Sequence, residues 1–463
     1  MRALGLALMC VAGIGGLASA ADWPTAEQLI GAVVEKEGPE IAAVREAIAP
    51  LVKQDANAAN ELLREVVRKY PKLPPAEIIM ALAHFGKGLL PAGRGWLENA
   101  AAKAPDDPEA YVLMASFAIR EGRRTEAGLL LAAARERLET YSANASRRER
   151  LLQQTIDGQL GLAETGQRWA DAERILQEML RQHPKDAGVA LRTARAMFFA
   201  GKVEEAQALF QKAYDLGVEQ GSKDVPPPEI NLGLLYEQSA AQAADPAKQA
   251  ELKAKARGLM AAVVKKEPQN ARVQLAVAQW AWDSGDLAIA KRCAQAAIDI
   301  DNKALAGRWL LGLAAAQERD FAAAETQFRE TLALAPNRAE VVHELALTLA
   351  EQADPKKKQE AVQVAEGLAK SFTDLSQPIS RNLQVAYVWT LHCAGRDREA
   401  EEGLAKVQQA GGLSGDALYL AARFYAETGR PEQAKPMLAA LLGSQVPFTR
   451  KKAARELAEK LGK

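Results

Sequence analysis

The stretch from Leu305 to Asn337, LAGRWLLGLAAAQERDFAAAETQFRETLALAPN, decides the fold of the chain. Apolar residues recur at helical spacing on both sides of the polar segment ERD, which predicts two amphipathic helices joined by a short turn. Gly312 and Ala324 are small enough to let the two helices approach closely, and we expect Phe328 to fill the seam between them. Pro336 cannot continue a helix, so the unit should end there.

The same skeleton recurs along the chain at a period of about 34 residues. A single helix pair cannot bury its apolar face alone, so successive pairs must stack to create a core. The sequence therefore predicts an all-α protein, an α-solenoid of stacked helix-turn-helix repeats. Further copies of the second helix show a small residue followed by a large apolar one: Gly93 and Leu97, Ala127 and Leu131, Ala172 and Leu176, Ala206 and Phe210, Ala256 and Met260, Ala400 and Leu404, Ala434 and Leu438.

These residues resemble the tetratricopeptide repeat family, whose pattern combines aromatic, Leu-Gly, Ala, Phe and Pro positions over 34 residues. The resemblance covers about ten units, from near Glu40 to near Gln445. It implies a right-handed superhelix whose first helices line a concave face suited to holding a peptide or another protein. The aromatic that opens the first helix in the family is often absent, as at Glu77 and Ala190. A longer type of helix-pair repeat is the structural alternative.

The first residues of the chain have the pattern of a signal peptide. Arg2 precedes an apolar run, and Ala18-Ser19-Ala20 has the small-x-small cleavage pattern. We therefore expect residues 1–20 to be removed, leaving a soluble, exported protein that begins at Ala21 and resides in the periplasm or outside the cell. A retained membrane anchor is the alternative, although the apolar run is shorter than the roughly 20 residues of a membrane span. No later segment of the mature chain has the length and apolar character of a span.

The remainder of the chain divides into four predicted parts. A solenoid needs caps at its ends, and the last part is rich in Lys and Arg, as expected for a solvent-facing cap. In order, the parts are an N-terminal helical region with a degenerate repeat at 21–73, repeats at 74–220, repeats with turn insertions near 240–255 and 354–358 at 221–445, and a C-terminal capping helix at 446–463.

Charge and motif content argue against several classes of function. The chain carries 59 basic and 59 acidic side chains, whereas binding to nucleic acid needs a basic excess. His343-Glu344 lacks a second histidine one turn later, so no zinc-protease motif is present. The sequence also lacks a Cys-x-x-Cys pair, a phosphate-binding glycine loop and a G-x-S-x-G motif. We therefore predict no catalytic activity, no cofactor and no metal. Cys293 and Cys393 are three repeats apart and are expected to be packing residues rather than a disulfide.

A second face of each first helix is expected to line the concave surface. Rotating by roughly 130° from the packing face, at about 100° per residue, selects its positions. In the C-terminal half these positions hold large aromatics and histidines, which anchor interfaces because they bury much area with few rotatable bonds. The alternative is that these side chains pack against neighbouring helices. The predicted partner-binding residues are Trp282, Trp309, His343, Trp389 and Tyr419.

Two functions remain open at this point. The first is a non-enzymatic interaction scaffold of a bacterial-type cell envelope that binds another exported protein or peptide along an aromatic-lined groove. The second is a glycan-binding accessory protein of polysaccharide export or envelope assembly, since spaced Trp, Tyr and His side chains can stack on sugar rings.

Overall fold

A computed structural model describes residues 23–35, 38–222, 224–413, 415–444 and 448–462. Within these ranges the chain consists of 24 α-helices and one short 3-10 helix, and no β-strand occurs. The predicted all-α solenoid is thus confirmed as a stack of helix pairs. The predicted signal peptide at residues 1–20 lies outside the described residues.

The helices belong to two compact units, the first ending at Val225 and the second beginning at Pro226. The first unit comprises α1 (Ala26–Ile30), α2 (Pro39–Ile48), the 3-10 helix (Ala49–Lys53), α3 (Ala56–Lys69), α4 (Ala76–Gly86), α5 (Leu90–Lys103), α6 (Pro108–Arg120), α7 (Arg124–Thr140), α8 (Ala145–Thr165), α9 (Trp169–Gln182), α10 (Ala187–Phe199) and α11 (Val203–Glu219).

The second unit contains six consecutive helix pairs, from α12/α13 to α22/α23, followed by α24, which packs on α22 and α23. Its helices are α12 (Pro228–Gln242), α13 (Pro246–Lys266), α14 (Ala271–Asp283), α15 (Leu287–Ile300), α16 (Leu305–Gln317), α17 (Phe321–Leu334), α18 (Ala339–Ala350), α19 (Pro355–Ser371), α20 (Pro378–Cys393), α21 (Asp397–Ala410), α22 (Gly415–Glu427), α23 (Pro431–Gly443) and α24 (Lys451–Gly462). The first helices of neighbouring pairs also contact each other, as α18, α20 and α22 do.

The seam between α16 and α17 is built as the sequence predicts. A Cβ atom added at Gly312 would lie 2.4 Å from Cε1 of Phe328, so only glycine lets the ring enter. Phe328 and Ala324 are both fully buried. Asp320 ends the turn by accepting a hydrogen bond from the N–H of Ala323 at 3.1 Å, which caps the second helix.

In several pairs the turn places a residue in the left-handed conformation just after the first helix. Glycines such as Gly285 and Gly395 fill this position in several pairs, with φ values of 80° and 78°. In the α16/α17 pair the same role falls to Arg319, whose φ is 65°. The arginine backbone tolerates this conformation at some cost, because the side chain has a Cβ that glycine lacks.

The predicted turn insertions are wrong in their placement. Only three residues separate α12 from α13, so the extra residues near 240–255 lengthen the two helices instead of the turn. Asp245 caps α13 by accepting from the N–H of Ala247, and the Ala, Lys, Gln and Glu residues that follow favour a helix. Asp354 caps α19 in the same way, so most of 354–358 lies in the first turn of that helix.

The cysteines, the C-terminal segment and the search for a membrane span concern the remaining predictions about the organisation of the chain. Cys293 is buried and Cys393 is half-buried, and both are free thiols in the structure. Within the segment predicted as a C-terminal cap, the structure has helix α24, which buries Ala454 and exposes most of its charged residues. Among the helices of the described ranges, none combines the length and the apolar character that a membrane crossing requires.

Candidate functional site

The second unit contains a cavity of about 700 Å³ on the side formed by its first helices. Helices α16, α18, α20 and α22 contribute its floor, and α24 contributes a wall. We call this space the α16–α24 cavity. It is lined by both apolar and charged side chains, and its apolar members include Leu313, Ala316, Phe321, Leu347, Trp389, Leu420, Ala453 and Leu457.

An ion pair crosses the floor of the cavity from α22 to α18. Arg423 donates hydrogen bonds to both oxygens of Glu351, which precedes it by 72 residues. The guanidinium carbon of Arg423 also lies 4.3 Å from the centroid of the Trp389 ring on α20, which lies between the two helices in the stack. This bridge fixes α18, α20 and α22 together and covers one face of Trp389.

The ion pair continues into a network at the ends of the helices. Glu427 accepts from Nε of Arg423 at 2.6 Å and lies 3.4 Å from Nε2 of His392, whose Nδ1 lies 2.6 Å from Asp397. The hydrogen bond with His392, together with Arg423, lowers the pKa of Glu427 to about 2. In return, hydrogen bonds to Glu427 and Asp397 raise the pKa of His392 above its ordinary value, against the opposing effect of burial. The network therefore favours a charged imidazolium beside the cavity.

A second ion pair ties the wall to the floor. Arg450 donates to Glu344 of α18 at 2.6 Å across a separation of 106 residues. The backbone N–H groups of Thr449 and Arg450 donate to Asp416 of α22 at 3.0 and 2.9 Å. The start of α24 is thus held by two different first helices, which fixes its position relative to the cavity.

The structure brings together two of the five predicted partner-binding residues. Trp389 and Tyr419 both line the cavity, but they are only 1% and 5% exposed. Trp389 is among the largest fully buried side chains of the described residues, so its ring packs in the core as the alternative expects. The predicted role of both residues in binding a partner remains a prediction.

The other three predicted residues do not line the cavity. The half-buried Trp309 packs on Phe328 with 5.6 Å between ring centroids, and Trp282 is half-buried against the core. The His343 side chain is 16% exposed and lies 3.8 Å from Glu344. Burial lowers the pKa of His343 and favours the neutral ring.

Sequence reasoning did not select the charged residues of the site. Arg423 lies one turn after Tyr419 on the same face of α22, so the helical offset that selected Tyr419 also points to it. The partners of Arg423 and Arg450 could not be found this way, because they belong to a different repeat. Within the described ranges, no three His, Cys, Asp or Glu side chains are arranged to hold a metal ion. Most charged groups of the cavity form ion pairs.

Stacked helix pairs with small-to-large seams define the protein as an α-solenoid of helix-turn-helix repeats. Residues 166–214 and 416–444 match tetratricopeptide repeat models, one in each unit. The second match coincides with the pair α22/α23, which supplies Tyr419 and Arg423 to the cavity. Both units of the chain therefore contain segments that match the tetratricopeptide repeat, a repeat that is typical of protein–protein interaction scaffolds.

Several solved structures have a similar helical architecture. Yeast Tom70 is 16% identical, with 91% of this chain and 95% of that chain covered and a TM-score of 0.35. A tetratricopeptide repeat protein from Parabacteroides merdae is 12% identical, with 66% and 98% covered and a TM-score of 0.39. Identities and TM-scores this low say nothing about a shared partner. A search of curated proteins gave no significant match.

Proposed function

We propose that the protein is a non-enzymatic scaffold of the cell envelope that binds a segment of another exported protein in the α16–α24 cavity. The observation that carries the proposal is the cavity itself, which is lined by side chains of four first helices and spanned by ion pairs between non-adjacent repeats. Its volume of about 700 Å³ is within the range of about 300–1,000 Å³ typical of binding sites. Helical grooves with apolar floors bind polypeptide segments through a few apolar anchors.

The rigidity of the floor supports binding to a preformed site. Arg423 and Arg450 each join α18 to a helix two or more repeats further along, so the first helices keep their spacing without a partner. A site that is ordered in advance loses less conformational entropy on binding. Trp389 and Tyr419 then act as the buried base of the site, while the half-buried Ala316 and Phe321 offer apolar surface to the partner.

The assignment to the cell envelope rests on the residues that precede Ala21. Their basic start, apolar run and small-x-small end favour export. N-terminal sequencing of the protein purified from its native host should therefore begin at Ala21. An intact Met1 recovered from the membrane fraction would overturn the proposed export.

A glycan partner is the second candidate, and the cavity supports it less well. Sugar rings stack on exposed aromatic faces, whereas Arg423 covers one face of Trp389 and Tyr419 is 5% exposed. Phe321 is the half-buried aromatic side chain that remains at the cavity for such a contact. The balance of apolar and charged lining residues favours a polypeptide.

Site-specific photo-cross-linking in the native host tests the proposal. A benzophenone amino acid at Phe321 faces the cavity, whereas the same group at Leu334, which is 44% exposed at the end of α17, provides the control. We expect a discrete protein adduct from position 321 that is absent from position 334. Equal adducts from both positions, or competition by envelope oligosaccharides but not by peptides of the captured protein, would contradict the proposed function.

A further inference from the structure

We infer that α24 is part of the binding surface and that, together with the turn after α16, it selects an acidic, amphipathic segment of the partner. The inference rests on the proposed function, because it specifies the chemistry of the polypeptide bound in the same cavity. It goes beyond the expected role of the C-terminal helix as a solvent-facing cap.

The side chains of α24 divide between two faces. Ala454 is completely buried against the core of the second unit. Ala453 and Leu457 also contact this core, but together with Lys460, at helical spacing, they line the cavity. A helix that served only as a cap would present a polar outer face to solvent, whereas α24 presents the half-buried Leu457 to the cavity.

The position of this wall is fixed at its start. Arg450 is joined to Glu344, and Asp416 accepts from two consecutive backbone N–H groups just before the helix. Removing one partner of a largely desolvated ion pair is strongly unfavourable, so α24 should remain in place when a partner binds. Leu457 and Lys460 can therefore contribute to selectivity as fixed contacts.

The carboxylates that line the cavity all have a cationic partner, whereas two of the lining cations have no carboxylate partner in the described ranges. Each of its five carboxylates has a cation within 4.0 Å, so none is left to attract a basic partner. These ion pairs are Glu318 with Lys291, Glu344 with Arg450, Glu351 with Arg423, Glu427 with Arg423 and Glu456 with Lys452. Among the cations that line the cavity, Arg319 and Lys460 have no ion-pair partner within the described part of the chain.

Both unmatched cations line the cavity near the C-terminal end of a helix. Arg319 comes two residues after the end of α16, and Lys460 lies in the last turn of α24. Two exposed cations beside the half-buried apolar side chains of Phe321 and Leu457 complement a segment that carries apolar side chains on one face and carboxylates along its border.

Selection from a phage-displayed library of random 12-residue peptides on the immobilised protein tests the inference. The wild-type protein should enrich peptides that combine apolar residues with Asp or Glu. A synthetic peptide from this selection should bind the double variant Arg319→Glu/Lys460→Glu about tenfold or more weakly, and its affinity should fall as salt is raised. The matched control, Lys406→Glu/Lys435→Glu, reverses two exposed charges away from the cavity and should leave the affinity unchanged.

The outcomes separate this inference from the proposed function. Basic or uncharged selected peptides, or acidic peptides that bind both double variants equally, would overturn the role of α24 while leaving the cavity as a binding site. Loss of binding in Phe321→Asp would then confirm that the cavity is used. Peptides indifferent to Phe321→Asp, or no enrichment on the wild-type protein, would overturn both proposals. Thermal melts of every variant must match the wild type before affinities are compared.

Discussion

The guanidinium carbon of Arg423 lies 4.3 Å from the centroid of the Trp389 ring, and the same guanidinium is hydrogen-bonded to Glu351. One arginine thus covers the aromatic side chain of the intervening first helix and joins the helices on either side of it. The arrangement explains how Trp389 can face a cavity and still be 1% exposed. The tryptophan supports the site from below, and the charged bridge above it forms the surface that a partner meets.

Replacing Trp389 should therefore act mainly by lowering the free energy of unfolding. Truncation of a buried Trp typically costs about 3–5 kcal/mol, so Trp389→Ala should unfold at a clearly lower denaturant concentration than the wild type. Trp389→Phe should lose less, about 1–2 kcal/mol, because the Trp389 Nε1 group has no hydrogen-bond partner to be lost and an aromatic face remains for Arg423. Urea denaturation followed by circular dichroism measures both. An unchanged midpoint for Trp389→Ala would show that the ring is not part of the core.

Gly312 provides a test of the seam that defines the repeat. Gly312→Ala places a Cβ atom 2.4 Å from the Phe328 ring and should destabilise the protein by about 1–3 kcal/mol through overpacking. Gly258 is the matched control, because it lies inside α13 with nothing within 4 Å of its Cβ position. Gly258→Ala should stabilise the protein by about 0.5–1 kcal/mol, since alanine favours the helix. The two substitutions should thus shift the thermal midpoint in opposite directions.

The helix pairs could be predicted because their signals are local. The Gly312–Phe328 contact joins residues of the same unit, and helical periodicity places both on the facing sides of α16 and α17. Proline and aspartate at helix starts, as at Asp354-Pro355, are equally local signals. The predicted insertions were misplaced because a helix that gains residues and a turn that gains residues have the same effect on the repeat period.

The details of the cavity could not be predicted because they depend on contacts between repeats. Helical offsets identify the face on which Trp389 lies, but they do not show that Arg423 covers the ring. The ion pairs that close the site span 72 and 106 residues, and no periodicity of the sequence matches one carboxylate to one arginine over such distances. The same limit explains why α24 was predicted only as a cap.

Protonation of His392 should make the protein more stable at lower pH. Its pKa is raised above the ordinary value of 6.5 by hydrogen bonds to Glu427 and Asp397, so the imidazolium stabilises the folded state fully below that value. This contribution is lost as the pH rises through the folded-state pKa. His392→Gln should lose more stability at pH 5.5 than at pH 8.5, so its thermal midpoint should fall further below that of the wild type at pH 5.5. His183→Gln, at an exposed position, should retain the wild-type difference. Identical pH profiles for all three proteins would contradict the role of His392.

Glu325 should have the opposite pH dependence. Burial opposes its charge, but hydrogen bonds from Lys357, Gln352 and Arg329 outweigh burial and lower its pKa to about 2. The carboxylate therefore stabilises the folded protein above its ordinary pKa of 4.5, and this stability is lost as the pH falls toward 2. Glu325→Gln should be less stable than the wild type at pH 7, and the gap should narrow by pH 3. The exposed control Glu432→Gln should stay close to the wild type at both pH values.

In the first unit, a buried arginine offers the clearest test of a structural charge network. Arg147 is 1% exposed and donates to Asp107 and Glu109 at 2.7 Å and to the Tyr141 hydroxyl at 2.6 Å. Glu109 is 2% exposed, and Arg147 helps to hold its pKa below the ordinary value against the effect of burial. Arg147→Met would leave buried carboxylates without this partner, at a typical cost of about 3–5 kcal/mol.

The double variant Arg147→Met/Glu109→Gln separates the effect of the ion pair on folding stability from the effect of side-chain packing. Removing the negative charge of Glu109 as well should recover part of the lost stability, so the two substitutions together should cost less than the sum of their separate effects. Arg124→Met changes an exposed arginine of the same unit and should shift the denaturation midpoint little. Strictly additive effects of Arg147→Met and Glu109→Gln would show that the two side chains are not energetically coupled. A non-additive result would assign the stability of α6 and α8 in this region to the ion pair, because Glu109 belongs to α6 and Arg147 to the first turn of α8.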